Sequence, residues 1–379
     1  MMMKTRASNH AGIRPPAEKS WRWLITHETY ADFSTSTSPA VERAVGEGRS
    51  PDTAVLNFFP EDSITVGVLD DPEKACDLAF CREHRIIVRR RNTTGGAIYA
   101  AAGSSIVCYY VRTSCPEIPN TVGDAFQVIL GGFAGAMRRI FHINAVYRPV
   151  NDVEVEGKKL MASSCKIEGD MLIFRNVLNI REIDREKAAC AMPLPPEKAH
   201  DKALKRFQER FTCLEREASR PITPDEIETM VRVAVEATFG PITLVSGRLS
   251  STEYTFREEY QRLYTDDSWF YANSESARFG SKHPGAQRAE ARRKAPAGLI
   301  RAVILRRGSA ILDLIITGDF HPRPHTLLNE MEDALRGAPL DPLVIRHRIE
   351  RIYGNQGVEV AGVSLEDFVS TILSAAGIG

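Results

Sequence analysis

Apolar residues along this chain recur at two spacings, and the switches between those spacings divide it into elements. Trp21–Tyr30 predicts a first strand, and Ser38-Pro39 predicts the cap of a helix carrying Val41 and Val45. Two β-rich runs, Ala54–Phe59 and Ile64–Leu69, are broken by the turn-forming cluster Pro60-Glu61-Asp62. Asp71–Arg85 is charged with apolar punctuation at Ala75, Leu78 and Ala79, which suits a short helix. Ile86-Ile87-Val88 opens a strand that runs into Arg89–Gly96, and Ser105–Val111 has the β-branched and aromatic content of a buried strand. Over Gly123–Ile143 the apolar positions Phe126, Ile129, Leu130, Phe133 and Met137 change to three- and four-residue spacing, an amphipathic helix. Strands follow at Asp152–Val155, Leu160–Ile167 and Met171–Ile180. A second long helix opens at Thr223-Pro224-Asp225-Glu226, which combines an N-cap, a proline in the first turn and a capping-box Glu. That helix buries Ile227, Met230, Val231, Ala234 and Val235 and stops at Gly240.

From Arg248 to Pro296 hydrophobicity falls and charge dominates, a linker composition. Beyond it Leu299–Leu305 and Ala310–Thr317 predict a hairpin, followed by helices at His325–Leu335, Asp341–Tyr353 and Ser364–Ala375. The pattern therefore divides the chain into a leader over 1–20, a main domain over 21–247, a linker over 248–296 and a small α+β accessory domain over 297–379. Strands and helices in the main domain do not alternate strictly, so the expected class is a mixed α/β sheet rather than a doubly wound one.

Composition narrows the function. Lys plus Arg and Asp plus Glu both number 49 among 379 residues, so the net charge is zero and no basic stripe points to nucleic acid. Seven cysteines without a CxxC pair predict reduced thiols in a cytoplasmic protein, and no apolar run approaches the ~20 residues of a membrane helix. The histidines show no metal-ligand spacing, so no metal-ligand set is assigned.

Three segments carry candidate chemistry. Arg90-Arg91-Asn92-Thr93-Thr94-Gly95-Gly96-Ala97-Ile98-Tyr99 is a strand running into paired glycines, whose backbone N–H groups can approach an anion while arginine and threonine add donors. A plain glycine turn with a solvated basic flank fits the same residues. Asn151-Asp152-Val153-Glu154-Val155-Glu156-Gly157-Lys158-Lys159-Leu160 predicts two strands joined at Glu156-Gly157, with a lysine able to neutralise a carboxylate and then an acyl phosphate. An exposed charged hairpin is the bland reading. Met161-Ala162-Ser163-Ser164-Cys165-Lys166-Ile167 supplies small side chains that leave room for a ligand, or that a tightly packed sheet tolerates.

In collinear order these segments resemble the lipoate–protein ligase family: two arginines before a glycine pair, then Asn-Asp, then Gly-Lys-Lys with an aliphatic residue after it. Ser63–Pro72, Lys205–Leu214 and Leu299–Pro324 with Gly318-Asp319-Phe320 are similar to further pieces, so the resemblance spans about residues 50–379. It implies a biotin/lipoyl-ligase-like, class II synthetase-like catalytic domain with a mobile accessory domain. The implied reaction uses ATP and Mg²⁺ to turn lipoate or octanoate into an acyl-adenylate. The acyl group then passes to a lysine of an apo lipoyl domain, of the 2-oxoacid dehydrogenase E2 or glycine-cleavage H type. Carried over by resemblance, Lys159 is the catalytic residue and Lys158 is not. Arg91, Thr94, Gly95, Gly96, Ala97, Ile98 and Tyr99 hold the adenylate and acyl tail, while Asn151 and Asp152 line the nucleotide site, Asp152 near Mg²⁺. A monomer is expected.

The chain departs from the family pattern where Ala100-Ala101-Ala102-Gly103-Ser104 replaces polar residues after the glycine loop, where Thr94 stands for a glycine, and at Leu69 and Gly169-Asp170-Met171. Two alternatives stay open: an ATP-independent octanoyl or lipoyl transferase working through Cys165, and a non-catalytic protein that binds lipoyl domains. Asp266-Asp267 with Trp269 and Tyr271 suits domain docking, and the basic stretch Lys282–Lys294 suits steering of an acidic partner.

Overall fold

A computed structural model describes residues 19–114, 118–192, 210–280, 283–296, 298–318, 320, 322–324 and 326–378. The leader up to residue 18, Cys115, Pro193–Pro196, Lys205–Glu209, Lys282, Asp319, His321 and His325 lie outside the described residues.

Among the described residues the strands are β1 (Ser20–Thr26), β2 (Thr53–Phe58), β3 (Ser63–Val66), β4 (Ile87–Arg90), β5 (Ile98–Ala100), β6 (Ser105–Arg112), β7 (Val146–Arg148), β8 (Asp152–Val155), β9 (Lys158–Glu168), β10 (Met171–Leu178) and β11 (Thr243–Ser246). Further along the chain come β12 (Gln287–Lys294), β13 (Leu299–Arg307), β14 (Ala310–Gly318), β15 (Pro322–Arg323) and β16 (Glu359–Val360). The expected mixed α/β class is what forms. An eight-stranded sheet runs β11-β1-β2-β6-β10-β9-β8-β7, parallel at β11-β1-β2 and antiparallel elsewhere. A separate small sheet, β4-β3-β5, carries the glycine loop between β4 and β5.

The two faces of the large sheet are closed differently. On one face Trp21, Leu56, Tyr109, Phe174 and Leu172 pack under the helices Val122–Phe141 and Pro224–Phe239. Those helices approach so closely that a Cβ on Gly132 would lie 2.1 Å from Thr238 Oγ1. Thr121 caps the first, and the Thr223–Glu226 capping box starts the second as its sequence predicts. On the other face Leu24, Val55, Ile106, Cys108, Tyr110 and Ile173 pack against a helical segment running from Tyr30 to Gly46. Ala100 of β5 joins this second core, so the small sheet sits on that same face. The predicted cap at Ser38 is not one: Thr29 accepts from Asp32 N, and the chain is already helical through Phe33–Thr37. The Ser38 hydroxyl instead bonds Tyr110 OH at 2.7 Å and accepts from Arg175 Nε at 3.0 Å.

The stretch read as a linker over 248–296 forms regular elements among its described residues. It holds helices Ser251–Tyr264, Asp267–Phe270 and Glu275–Phe279 and then β12, which makes the predicted hairpin β13–β14 a three-stranded sheet. Its charges misled because they are paired rather than solvated. Glu253, with a fully buried side chain, is bound by Arg22, and Arg288 and Arg301 bind Glu275 and Glu290. The basic residues proposed to steer a partner are accordingly engaged in part within the chain. Helices Leu327–Leu335, Pro342–Tyr353 and Leu365–Ala376 cover the three-stranded sheet and close a separate core around Ile304, Leu314, Met331 and Phe368. No helix among the described residues is long and apolar enough to cross a membrane.

Candidate functional site

The lysine pair sits on a tight hairpin between β8 and β9. Glu156 and Gly157 form its turn with positive φ at both positions, 50° and 77°, as the right-handed twist of a two-residue hairpin demands. Pairing is regular from Asp152↔Ala162 to Val153↔Met161, then slips so that Glu154 faces Lys159 and Val155 faces Lys158. Leu160 is therefore an extra residue, a β-bulge. In unbroken register Lys159 would pair with Val155 and point at the long helices. The bulge turns it to the opposite face, beside Asp152, the kind of re-aiming for which bulges are used near active sites. Lys159 Nζ then lies 2.8 Å from Asp152 Oδ2, with a quarter of its side chain exposed. The other carboxylate oxygen, Oδ1, is buried without a hydrogen-bond partner. Beyond the end of β10, Thr212 N donates to Lys159 O at 3.0 Å and Phe211 pairs alongside it, fixing the strand where the lysine emerges.

Register also identifies what lies next to the lysine. Ala162 faces Asp152 on one side and Val177 on the other, and Ser164 faces Arg175. These residues share the sheet face that carries the small sheet, and here Ala162 and Ser164 are exposed. A strip floored by small side chains thus leads from Lys159 along β9. At its far end Arg175 and Lys166 converge on Glu42 of the helix Ser38–Gly46. Burial pushes the Glu42 carboxyl up, but Arg175 and Lys166 outweigh it and hold it below its ordinary range. Asn151 is placed at the near end, with its side-chain amide donating to Ser163 O at 2.7 Å and its carbonyl accepting from Ser163 N. It extends the β8–β9 ladder and aligns Asp152.

The glycine loop is built around the two arginines, which point opposite ways. Arg91, buried, donates to the carbonyls of Thr94, Gly95 and Gly96 at 2.8, 2.6 and 3.0 Å, and to Thr65 O and Oγ1. Its guanidinium holds the loop carbonyls inward. Gly95 has φ +88°, and its carbonyl lies where a Cβ on Gly67 would come within 2.0 Å. Gly96 and Ile98 stand exposed, with Ala97 half-buried between them and Thr94 half-buried before them. Tyr99 turns into a core with Ile64, Val66, Cys76 and Cys81, so its ring packs the small sheet instead of lining the strip. Arg90 is also buried and faces the residues after Tyr264, donating to Trp269 O at 2.8 Å and to Val68 O.

The alanine run has a packing explanation. Ala100 and Ala101 are buried in the two cores flanking β5, and Ala102 N donates to Asp62, which also binds Lys187. Cys165 lies on the core side of β9, and burial pushes its thiol up to about 12. Among the described residues no group of three His, Cys, Asp or Glu side chains is arranged to hold a metal. Sequence reasoning missed the Leu160 bulge and the contacts of Trp269 with Arg90 at the foot of the glycine loop; of its two readings of the small residues after Lys159, the exposed Ala162 and Ser164 fit the one that leaves room against the strand. The bulge left a signal: Leu160 and Met161 are adjacent apolar residues in an otherwise alternating strand, and both are buried.

The sequence model of the lipoyl protein ligase A/B catalytic domain matches residues 36–236. Lipoate-protein ligase A subunit 2 of Thermoplasma acidophilum is 39% identical over 79 residues, 21% of this chain and 81% of that protein. Octanoyltransferase LipM of Geobacillus kaustophilus is 22% identical over 277 residues, 67% of this chain and 98% of that one. Among solved structures, P. falciparum LipL1 in complex with lipoate superposes with a TM-score of 0.65 at 17% identity, covering 93% of this chain and 99% of its own. The bipartite lipoate protein ligase of T. acidophilum, from a structure of that system and its E2 lipoyl domain, gives 0.57 at 19% identity, covering 67% and 96%. A lipoate-protein ligase A bound with ATP gives 0.54 at 18% identity, covering 66% and 98%.

Proposed function

The chain belongs to the lipoyl protein ligase A/B catalytic-domain family, and on that premise we propose that it activates lipoate or octanoate with ATP and transfers the acyl group to a lysine of an apo lipoyl domain. The observation that carries this reading is the Lys159–Asp152 pair, set by a bulge at the head of a strip of small residues. The substrate carboxylate attacks the α-phosphorus of ATP, the α–β phosphoanhydride breaks and pyrophosphate leaves. The ε-amine of the acceptor lysine then attacks the acyl carbon, AMP departs and the amine loses a proton. Lys159 places a positive charge where negative charge gathers on the carboxylate and α-phosphate in the first step. The exposed backbone at Gly96 supplies room for close approach of an anionic group. Ser164 lies five residues beyond Lys159, roughly 16 Å along the strand, so the strip accommodates an extended eight-carbon tail.

The unpartnered Asp152 Oδ1 fits a Mg²⁺ ion that arrives with nucleotide phosphates, since such ions take one or two protein carboxylates and fill the remaining positions with phosphate and water. When bound it would supply charge neutralisation for the phosphates. The ligands of the solved relatives, lipoate in one and ATP in another, support the two substrates, and the archaeal system with its E2 lipoyl domain supports the acceptor class. Similarity to an octanoyltransferase favours a second reading, ATP-independent transfer through a thioester. Cys165, the cysteine nearest Lys159 in sequence, opposes it because its half-buried thiol packs toward the main core and burial pushes it up to about 12.

Pyrophosphate release from ATP with lipoate or octanoate tests the first step, and mass spectrometry of lipoyl domains tests the second. Release and an acyl mass gain, both lost in Lys159→Ala, support the ligase. No pyrophosphate release, with acyl transfer from an acyl thioester donor in the absence of ATP, overturns it in favour of the transferase, and tight lipoyl-domain binding without any turnover overturns both.

A further inference from the structure

The glycine loop is gripped from outside by residues nearly 180 positions later. Trp269 Nε1 donates to Arg90 O at 2.7 Å, Arg90 Nη1 donates back to Trp269 O at 2.8 Å, and the guanidinium lies 4.8 Å from the indole centroid. Asn273 Nδ2 donates to Val68 O at 2.8 Å, an oxygen that Arg90 also binds. Val68 N in turn donates to Thr93 O, and Arg91 N to Val66 O, so the β3 and β4 ends that bear the loop are tied together at the clamped residues. One residue further, Leu69 is buried in the hydrophobic core of the C-terminal sheet and helices. Asp71 accepts from Glu275 N at 3.2 Å, and Glu73 accepts from Ser276 at 2.5 Å. On the inner side of the same two strand ends, Arg91 holds Gly95 O, the atom packed on Gly67.

We propose that Trp269 and Asn273 are positioning residues for the glycine loop, acting through Arg90 and Val68 to set how its exposed backbone meets the anionic substrate. This deepens the reading of the site given above and rests on it. The adjacent arginines divide the work: Arg90 is held by the 269–273 segment, and Arg91 transmits that position to Thr94, Gly95 and Gly96. A misplacement of about 1 Å at a group that orients substrate costs on the order of a hundredfold in rate, so a remote clamp on this loop has kinetic consequences.

The test compares the full-length chain with Trp269→Phe, which keeps a ring over Arg90 but removes the N–H donor, and Asn273→Ala. Hydrogen exchange of the Thr93–Ile98 amides is measured without substrate, KM and kcat are measured for pyrophosphate release, and melting confirms that both variants fold. The expected result is at least ~10-fold faster exchange confined to the loop, with KM for the acid or ATP raised several-fold more than kcat falls. Wild-type exchange in both folded variants overturns the clamp, and so does faster exchange with unchanged KM. If the wild-type chain releases no pyrophosphate with either acid, the ligase reading falls while loop exchange still decides whether the clamp sets the loop.

Discussion

Lys159 faces Asp152 at 2.8 Å because Leu160 is one residue too many for the ladder between their strands. The same slip leaves Lys158 opposite Val155, at the turn and away from the carboxylate. Lys159→Ala is expected to reduce pyrophosphate release by about a hundredfold or more, the usual cost of removing one preorganised charge from a transition state. Lys158→Ala should stay within about threefold of wild type, as for a surface side chain with no part in the chemistry. Single-turnover formation of acyl-adenylate checks both. Equal losses in the two variants would sink the assignment by register.

How much of this was legible from residues alone depends on what each residue's signal measures. The long helices at Val122–Phe141 and Pro224–Phe239 and the hairpin β13–β14 announce themselves through periodicity and caps, because one face of each is buried. The lysine hairpin was likewise visible in Glu156-Gly157. The 248–296 stretch was misread because composition records charge and not whether charge is paired: Glu253 and Arg301 look solvated in sequence and are buried in ion pairs. Arg91 looked like a ligand donor for a related reason. A guanidinium that organises its own loop and one that binds an anion have the same sequence signature, and only the carbonyls of Thr94, Gly95 and Gly96 around it distinguish them.

Gly67 should be intolerant of even one methyl group. A Cβ there would stand 2.0 Å from Gly95 O, and the obstacle is backbone held by Arg91 rather than a flexible side chain. Gly67→Ala is expected to lose about 1–3 kcal/mol in urea unfolding, the range for overpacking a tight interior, together with most pyrophosphate-release activity. Gly132→Ala also meets a close neighbour, but one far from the loop, Thr238 Oγ1. It should lose stability while leaving KM unchanged. Similar KM effects in the two variants would argue against a specific role for the Gly67–Gly95 contact.

The attachment of the C-terminal sheet to the segment after β3 should weaken in acid. Burial pushes the Glu275 carboxyl up, but hydrogen bonds from Arg288, Lys74 and Arg301 outweigh it and hold it at about 2, against an ordinary 4.5. The folded value lies below the unfolded one. The stabilisation is therefore full above about 4.5 and is lost as pH falls toward about 2. Wild type should unfold later in denaturant than Glu275→Gln at pH 7, and the two midpoints should converge between those values. A constant gap from pH 7 to pH 2 would show that the carboxylate's charge is not what stabilises the contact.

Cys165 offers the cleanest discrimination between adenylate chemistry and a thioester route. With its thiol pushed up to about 12, the thiolate fraction at pH 8 is about one in ten thousand, and the thiolate is the reactive form. Its side chain also packs toward the main core beneath the helix Val122–Phe141, on the opposite face of β9 from Ala162, Ser164 and Lys159. Limited alkylation with iodoacetamide at pH 8 should therefore label the exposed Cys190 well before Cys165, as read by peptide mass spectrometry. Cys165→Ser should retain acyl transfer within about threefold, since the strip does not use its sulfur. Rapid labelling of Cys165 that an octanoyl or lipoyl thioester donor blocks, with release of the donor's thiol and loss of transfer in Cys165→Ser, would place the acyl group on this sulfur and displace Lys159 as the activating residue.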